Sequence, residues 1–435
     1  MLDNNPEVKI VKKHDFTTFF FRRRNLNFKR YFSEFTDSDA FNNDTLNQLL
    51  IECQHKLPFP LLIVRAEINE DIEIDADLKE AELIETFSNC FLDLLLDFYE
   101  NNEVHITRMF GSFVYIKRVE GALKAVHATP IPIKYCPLMK KLLTEIGGDY
   151  AEQLLAAIHN SNGKEQSENM CRLINEIVIN GGYFDTSRPL NSCEANVLFG
   201  ASETMSSAFK SGLLDAAVIV SNNLGTIITT NESNTQGAVK RMTGLFLTSP
   251  SKKIMNTANC SGIIPVFPHT AIIDQLEGVK MAIALGYKKI AVSVAWQDNI
   301  LLNDIKELEK KHGVTIYRFG LCSTGISDEA ATAMENADIV WACASKAVKE
   351  KVEPNSVAQV GIKIPVHILS RNGWQLVKNH LVHMSQEQGF NPSMFDSVKL
   401  ATGSEKPIIL NSKQGFKMIS KSELRQCEDC PYPCI

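Results

Sequence analysis

Two thiols carry the most chemistry that can be read from this chain. Cys322 closes the apolar run VTIYRFGL and Cys343 falls within DIVWACAS, each with a serine within two residues. A cysteine that ends a strand and precedes a helix N-terminus has its thiol pKa lowered by the helix dipole, which favours a nucleophilic, metal-binding thiolate. Around them lie Ser323, Thr324 and Ser345, which could position a bound molecule, and Lys346, which could stabilise negative charge. Free cysteine is also among the most buried residue types, so core packing is the competing account of each thiol.

A second constellation is Asn223, Gly225 and Thr226, which open the stretch GTIITTNESNTQGAVKRMTG and lead to Lys240 and Arg241. Backbone N–H groups and two cations in such a loop could wrap an anion; an ordinary capped turn would use the same residue types. His269, in VFPHTAIIDQ, sits before a helix expected to be capped by Thr270, where it could be a general base, a metal ligand or a structural histidine. The last residues, CEDCPYPCI, place Cys427, Cys430 and Cys434 in a C-x2-C-x3-C order. Three such thiolates could hold zinc or an iron–sulfur cluster with a ligand from elsewhere, or could form a redox-active or incidental tail. No strand-like run is followed by the dinucleotide fingerprint or the Walker loop.

The elements that must position these groups are clearest after residue 181. Helix-like segments alternate with short, almost wholly apolar runs: LDAAVIVSN, KKIAVSVA, VTIYRFGL, DIVWACAS and IKIPVHILS. That alternation is the pattern of parallel strands covered on both faces, and it predicts a doubly wound, mostly parallel, Rossmann-like α/β sheet over residues 181–385. Ligands of such sheets bind at the carboxyl ends of the strands, so the loops beginning at Asn222, Trp296, Cys322, Cys343 and Ser370 are the expected working face. Upstream, residues 1–102 read as an N-terminal arm and a small α/β module, and 103–180 as β-strands followed by helices. Residues 386–435 read as a C-terminal extension.

The 435 residues are enough for two or three domains, and 44% hydrophobic with 22% charged residues describes a folded chain. A net charge of −6 gives no overall attraction to nucleic acid or membranes, and no apolar run is long enough to span a bilayer. Eleven scattered cysteines without a secretory leader point to reduced thiols and a cytoplasmic location. The arm FTTFFFRRRNLNFKRYF interleaves aromatics with Arg22, Arg23, Arg24, Lys29 and Arg30. It could bind single-stranded nucleic acid, or form edge strands whose arginines stay solvated.

The stretches KYCPL around Cys136, VLFGASETMSSAFKSGLLDAAVIVSNNLGTIITTN, IDQLEGVKMAIALGYKKIAVSVA and ADIVWACASKAV together resemble the methanogenesis marker protein 8 family, over about residues 103–380. That family has no assigned activity. The resemblance implies a link to the biosynthesis or upkeep of sulfur- or metal-containing cofactors. The N-terminal region and the cysteine-rich end depart from it.

The leading expectation is an enzyme acting on a small anionic metabolite of a kind that can contain sulfur. One alternative is an iron–sulfur or metal-binding accessory protein using the C-terminal cysteines, which could also engage a partner protein. The other is nucleic-acid binding through the arginine-rich arm.

Overall fold

The structure is a computed structural model and describes residues 8–13, 16–21, 43–57, 62–65, 73–75, 81–131, 137–194, 199–239, 244–295, 301–343, 345–360, 365–388, 410–411 and 417–420. The chain divides into two compact units. One comprises Met1–Glu103, Ser249–Lys252 and Phe267–Ala271; the other comprises Val104–Thr248, Lys253–Val266 and Ile272–Ile435.

Among the described residues, the first unit holds two antiparallel strand pairs and two helices. Strands β1 (Val8–Lys13) and β2 (Phe16–Phe21) pair with each other. After α1 (Asn43–Lys56), strands β3 (Leu62–Arg65) and β4 (Glu73–Asp75) form the second pair, and α2 (Ala81–Asn101) follows. The helices bury Leu49, Leu50 and Cys53 of α1 and Phe87, Phe91, Leu94 and Leu95 of α2. Phe87 and Phe91 stack one turn apart, with centroids 6.0 Å from each other.

The second unit begins with a meander, β5 (Val104–Met109), β6 (Ser112–Val119) and β7 (Ala122–Ala128). Its hairpins turn through Phe110-Gly111 and Glu120-Gly121, with φ of 52° and 79°, then 51° and 79°. Two consecutive positive φ angles match the right-handed twist of the flanking strands, and glycine supplies the second without strain. Helices α3 (Pro137–Asn160) and α4 (Gly163–Leu173), with a π-helical turn at Ile174–Ile179, pack Leu154, Ile158, Met170, Leu173 and Ile177 into a core with Val114 and Ile116.

Beyond them lies a ten-stranded mixed sheet. Helix α5 (Ala201–Lys210) leads to β8 (Ala216–Ser221), which turns back into β9 (Gly225–Thr229). Next come α6 (Glu232–Val239), β10 (Leu245–Thr248, which joins β5), α7 (Lys252–Cys260) and β11 (Ile264–Pro265). Then α8 (Gln275–Ala284), β12 (Lys289–Ala295), α9 (Leu301–His312), β13 (Thr315–Leu321), α10 (Asp328–Met334) and β14 (Ile339–Trp341) alternate. The chain continues through α11 (Lys346–Lys351), β15 (Ala358–Val360), β16 (Val366–Ile368), α12 (Arg371–Gln388), β17 (Leu410–Asn411) and β18 (Lys417–Ser420).

The sheet order is β11-β9-β8-β12-β13-β14-β16-β15-β18-β17. Strands β8, β12, β13 and β14 are parallel neighbours; the other pairings are antiparallel. The parallel part thus occupies the middle of a mixed sheet. Every residue of β8 and β14 is buried, which requires cover on both faces and explains their continuous apolar sequence.

The run IKIPVHILS, expected to extend the parallel set, contains the antiparallel β16. Its link from β15 is too short for a crossover, and a short link enforces an antiparallel neighbour. As a result Ser370, expected on the working face, lies at the opposite end of the sheet. There its hydroxyl donates to Asp338 Oδ1 over 2.6 Å.

Candidate functional site

The carboxyl ends of the parallel strands carry an unusual backbone. Asn223 after β8, Cys322 after β13 and Cys343 after β14 have φ of 60°, 57° and 46°. Residues with a Cβ enter this left-handed region at a cost of roughly 1–2 kcal/mol, and such costs persist where the surroundings impose them. Three of these residues share one end of one sheet.

Two networks impose the geometry. In the first, Arg108 of β5 donates from Nη1 to the carbonyl of Cys322 over 3.2 Å and from Nη2 to the carbonyl of Thr324, while its Nε–H reaches Gly111 O over 3.3 Å. The same guanidinium lies over the Phe113 ring, 5.5 Å from the centroid. Ser323 is fully buried and donates to Trp341 O over 2.6 Å, tying the end of β13 to that of β14. The indole N–H of Trp341 donates to Phe199 O over 2.7 Å, next to the Gly200 N-cap of α5.

The Cys343 thiol sits among these groups. Burial pushes its pKa up, while the Ser323 N–H, the Thr324 side chain, the Arg108 charge and the Ser323 hydroxyl pull it down. Burial outweighs them, so the thiol is protonated at rest and would ionise more readily once its desolvation is relieved. The expected helix dipole is not what acts here. The N-cap of α10 is Ser327, well past Cys322, and the helix after Cys343 has only six residues.

The second network surrounds the end of β8. Asn223 N–H donates to Thr248 Oγ1 over 2.8 Å, and that hydroxyl is also 2.8 Å from His105 Nδ1. Arg188, 4% exposed, donates to the Ser221 hydroxyl over 3.3 Å and to the Asn222 carbonyl. The Asn222 amide in turn donates to Tyr183 O. Strand β5 therefore contributes His105 to the end of β8, through Thr248, and Arg108 to the end of β13.

Of the groups singled out by sequence, the structure gathers Cys322, Ser323, Thr324 and Cys343 at the ends of β13 and β14, and places Asn223 at the same end of the sheet but after β8, on the far side of β12. Gly225 and Thr226 open a strand and not an anion-wrapping loop. Thr226 Oγ1 accepts from Asp274 N over 2.8 Å and its backbone N–H donates to Ile272 O over 3.0 Å. Ser345 caps α11, accepting from Val348 N over 3.2 Å. Lys346 is exposed and pairs with Glu350 at 3.7 Å.

His269 belongs to the first unit and is half-buried. Burial lowers its pKa, with the Asp93 charge opposing. The helix after it begins later than expected: Asp274, not Thr270, is the N-cap, its carboxylate accepting from Leu276 and Glu277 N–H groups. Cys193 and Cys260 are exposed. Arg241, the loop at Trp296 and the thiols Cys427, Cys430 and Cys434 lie outside the described residues. Among the described residues no group of three or more His, Cys, Asp or Glu is placed to hold a metal ion, and no helix is long and apolar enough to cross a membrane.

His105, Arg108, Arg188 and Thr248 were not singled out by sequence. The available signal was three polar residues, His105, Thr107 and Arg108, in the short strand VHITRM.

Fold and site define an α/β protein with a mixed sheet and a strained, polar, thiol-bearing edge at the carboxyl ends of its parallel strands. The chain belongs to a family described as uncharacterized proteins conserved in archaea (DUF2099), whose model matches residues 105–382. It is 35% identical over 256 residues to an uncharacterized protein of Methanocaldococcus jannaschii, covering 58% of this chain and 83% of the relative. The match begins at His105 and takes in both networks.

Proposed function

We propose that this chain is a cytoplasmic enzyme that binds a small anionic metabolite, of a kind that can carry sulfur, at the carboxyl ends of β8, β12, β13 and β14. Cys322 or Cys343 supplies the nucleophilic or sulfur-carrying thiol. The observation that carries this reading is the clustering of three left-handed side-chain-bearing residues, two of them cysteines, at one end of the sheet. Arg108 places a positive charge beside the thiol end of the site, where an anionic group would be favoured and an ionised thiol stabilised. The four parallel strands and their crossover helices act as a doubly wound unit, for which this is the usual binding end.

The likeness to the methanogenesis marker protein 8 family supports a finer placement, in the making or upkeep of a sulfur- or metal-containing cofactor. The Cys427, Cys430 and Cys434 spacing supports zinc or an iron–sulfur cluster as a cofactor. Metal and sulfide analysis of the full chain, and of one ending at Arg425, tests that part separately.

The main test follows alkylation of Cys322 and Cys343 by peptide mass spectrometry, with and without a panel of small thiol-, sulfonate- and phosphate-bearing acids. At least one acid should slow alkylation of one of the two thiols tenfold or more, without changing that of exposed Cys193. The reading is abandoned if no acid protects either thiol and both Cys322→Ala and Cys343→Ala support full complementation.

A further inference from the structure

In the first unit, the Cys53 side chain of α1 is fully buried and points at α2. Its Sγ lies 3.9 Å from the Phe87 carbonyl oxygen. One turn further along α2 is Cys90, which is half-buried, so the Cys53 thiol faces the turn of α2 that carries the second cysteine. The buried Phe87 and Phe91 rings stack one turn apart on this face of α2.

We propose that Cys53 and Cys90 form a disulfide-forming dithiol site, which takes up a small-molecule disulfide as its oxidant and ties α1 to α2. A bridge needs the two Cα atoms within about 7 Å, and the contact of Cys53 Sγ with the Phe87 carbonyl, one turn before Cys90, sets the two cysteines on facing turns of α1 and α2. The half-buried Cys90 is the thiol that solvent-borne reagents reach. Its thiolate attacks one sulfur of the disulfide RSSR, forming a Cys90–SR mixed disulfide and releasing RS⁻. Cys53, as thiolate, then attacks the Cys90 sulfur, breaking the S–SR bond and releasing a second RS⁻. The net change oxidises two protein thiols to one disulfide and reduces RSSR to two RSH. Burial and the neighbouring Cys90 raise the Cys53 pKa, so the second step is the slow one and accelerates with pH.

The test uses the full reduced chain and oxidised glutathione, with acid quench, alkylation and non-reducing peptide mapping. The expected product links the peptides of Cys53 and Cys90, forms faster at pH 8.5 than at pH 7, and reverts with dithiothreitol. Cys53→Ser should stop the reaction at glutathionylated Cys90, and Cys90→Ser should abolish the link. Glutathionylated Cys90 that never passes to a linked product in the unaltered chain would overturn the proposal. So would both residues remaining alkylatable thiols while exposed Cys193 and Cys260 react.

Discussion

The two ends of the parallel strands are built to opposite rules. At the amino ends, carboxylates gather backbone donors. Asp215, before β8, accepts from the Lys288 and Lys289 N–H groups over 3.1 and 2.9 Å. Asp338, before β14, accepts from Arg318 N over 2.8 Å and from the Ser370 hydroxyl over 2.6 Å. Arg318 in turn reaches Glu309 at 2.5 Å and Asp338 at 3.3 Å. Gly373 of α12 lies so close to the Asp338 carbonyl that any Cβ would collide with it. At the carboxyl ends, the backbone instead holds Asn223, Cys322 and Cys343 in left-handed conformations, with Arg108 spending its donors on carbonyls of the strained turn. One end is fastened; the other stores strain where chemistry is proposed.

The sharpest way to break this contrast is Asp338→Ala. It leaves the Arg318 guanidinium paired with Glu309 alone, and strips the carboxylate acceptor from the Arg318 N–H and from the Ser370 hydroxyl. Each of these two donors loses a hydrogen bond to a charged group, at about 1.5–3 kcal/mol apiece, measured by urea unfolding. If the two ends are independent, the alkylation rate of Cys343 in the folded variant stays at its original value. A coupled change in that rate would mean that the strand-end geometry is set from the amino end.

The middle of the sheet gives a pH test. Burial lowers His367 of β16 from 6.5 to about 4. Above pH 6.5 neither folded nor unfolded chain protonates it appreciably, so its contribution is intact. Between pH 6.5 and 4 the unfolded chain takes up the proton and the folded chain does not. Stability should therefore fall by about 3 kcal/mol over that window and, from this group, no further below it. His367→Phe should flatten that part of the stability–pH curve. An unchanged slope would assign the acid sensitivity to other groups.

The carboxyl ends call for a paired substitution. Cys322→Gly relieves the left-handed φ and should change stability by no more than about 1 kcal/mol. Cys322→Val puts a β-branched residue there and should cost about 1–2 kcal/mol more. Equal stability of the two would remove the strain half of the contrast.

How much of this was legible in the sequence follows from the range of each interaction. The apolar runs of β8, β12, β13 and β14 are local and continuous, and they announced buried strands. The turns at Phe110-Gly111 and Glu120-Gly121 are local in the same way, since glycine takes the second positive φ without strain. The direction of β16 was hidden, since an apolar run has the same pattern either way up and only the link from β15 reveals it. The part played by Arg108 was hidden for another reason: the carbonyl it holds at Cys322 is 214 residues away. Nor does residue type announce left-handed cysteines, because that conformation is ordinarily supplied by glycine or asparagine. Ser345 was legible as a polar strand-end residue, but its hydroxyl is committed to a helix cap.

That commitment yields the smallest effect and a clean separation of roles at the carboxyl end. Ser345 is 1% exposed and accepts from Val348 N over 3.2 Å. If capping is its whole task, Ser345→Ala costs about 1 kcal/mol and Ser345→Asn restores most of it. Both changes should leave untouched the acid-induced protection of the strand-end thiols. If instead the hydroxyl also meets the bound molecule, Ser345→Asn should recover the unfolding midpoint while protection weakens. Stability and protection moving apart would place Ser345 within the binding site, and their moving together would confine that site to the turns at Cys322 and Cys343.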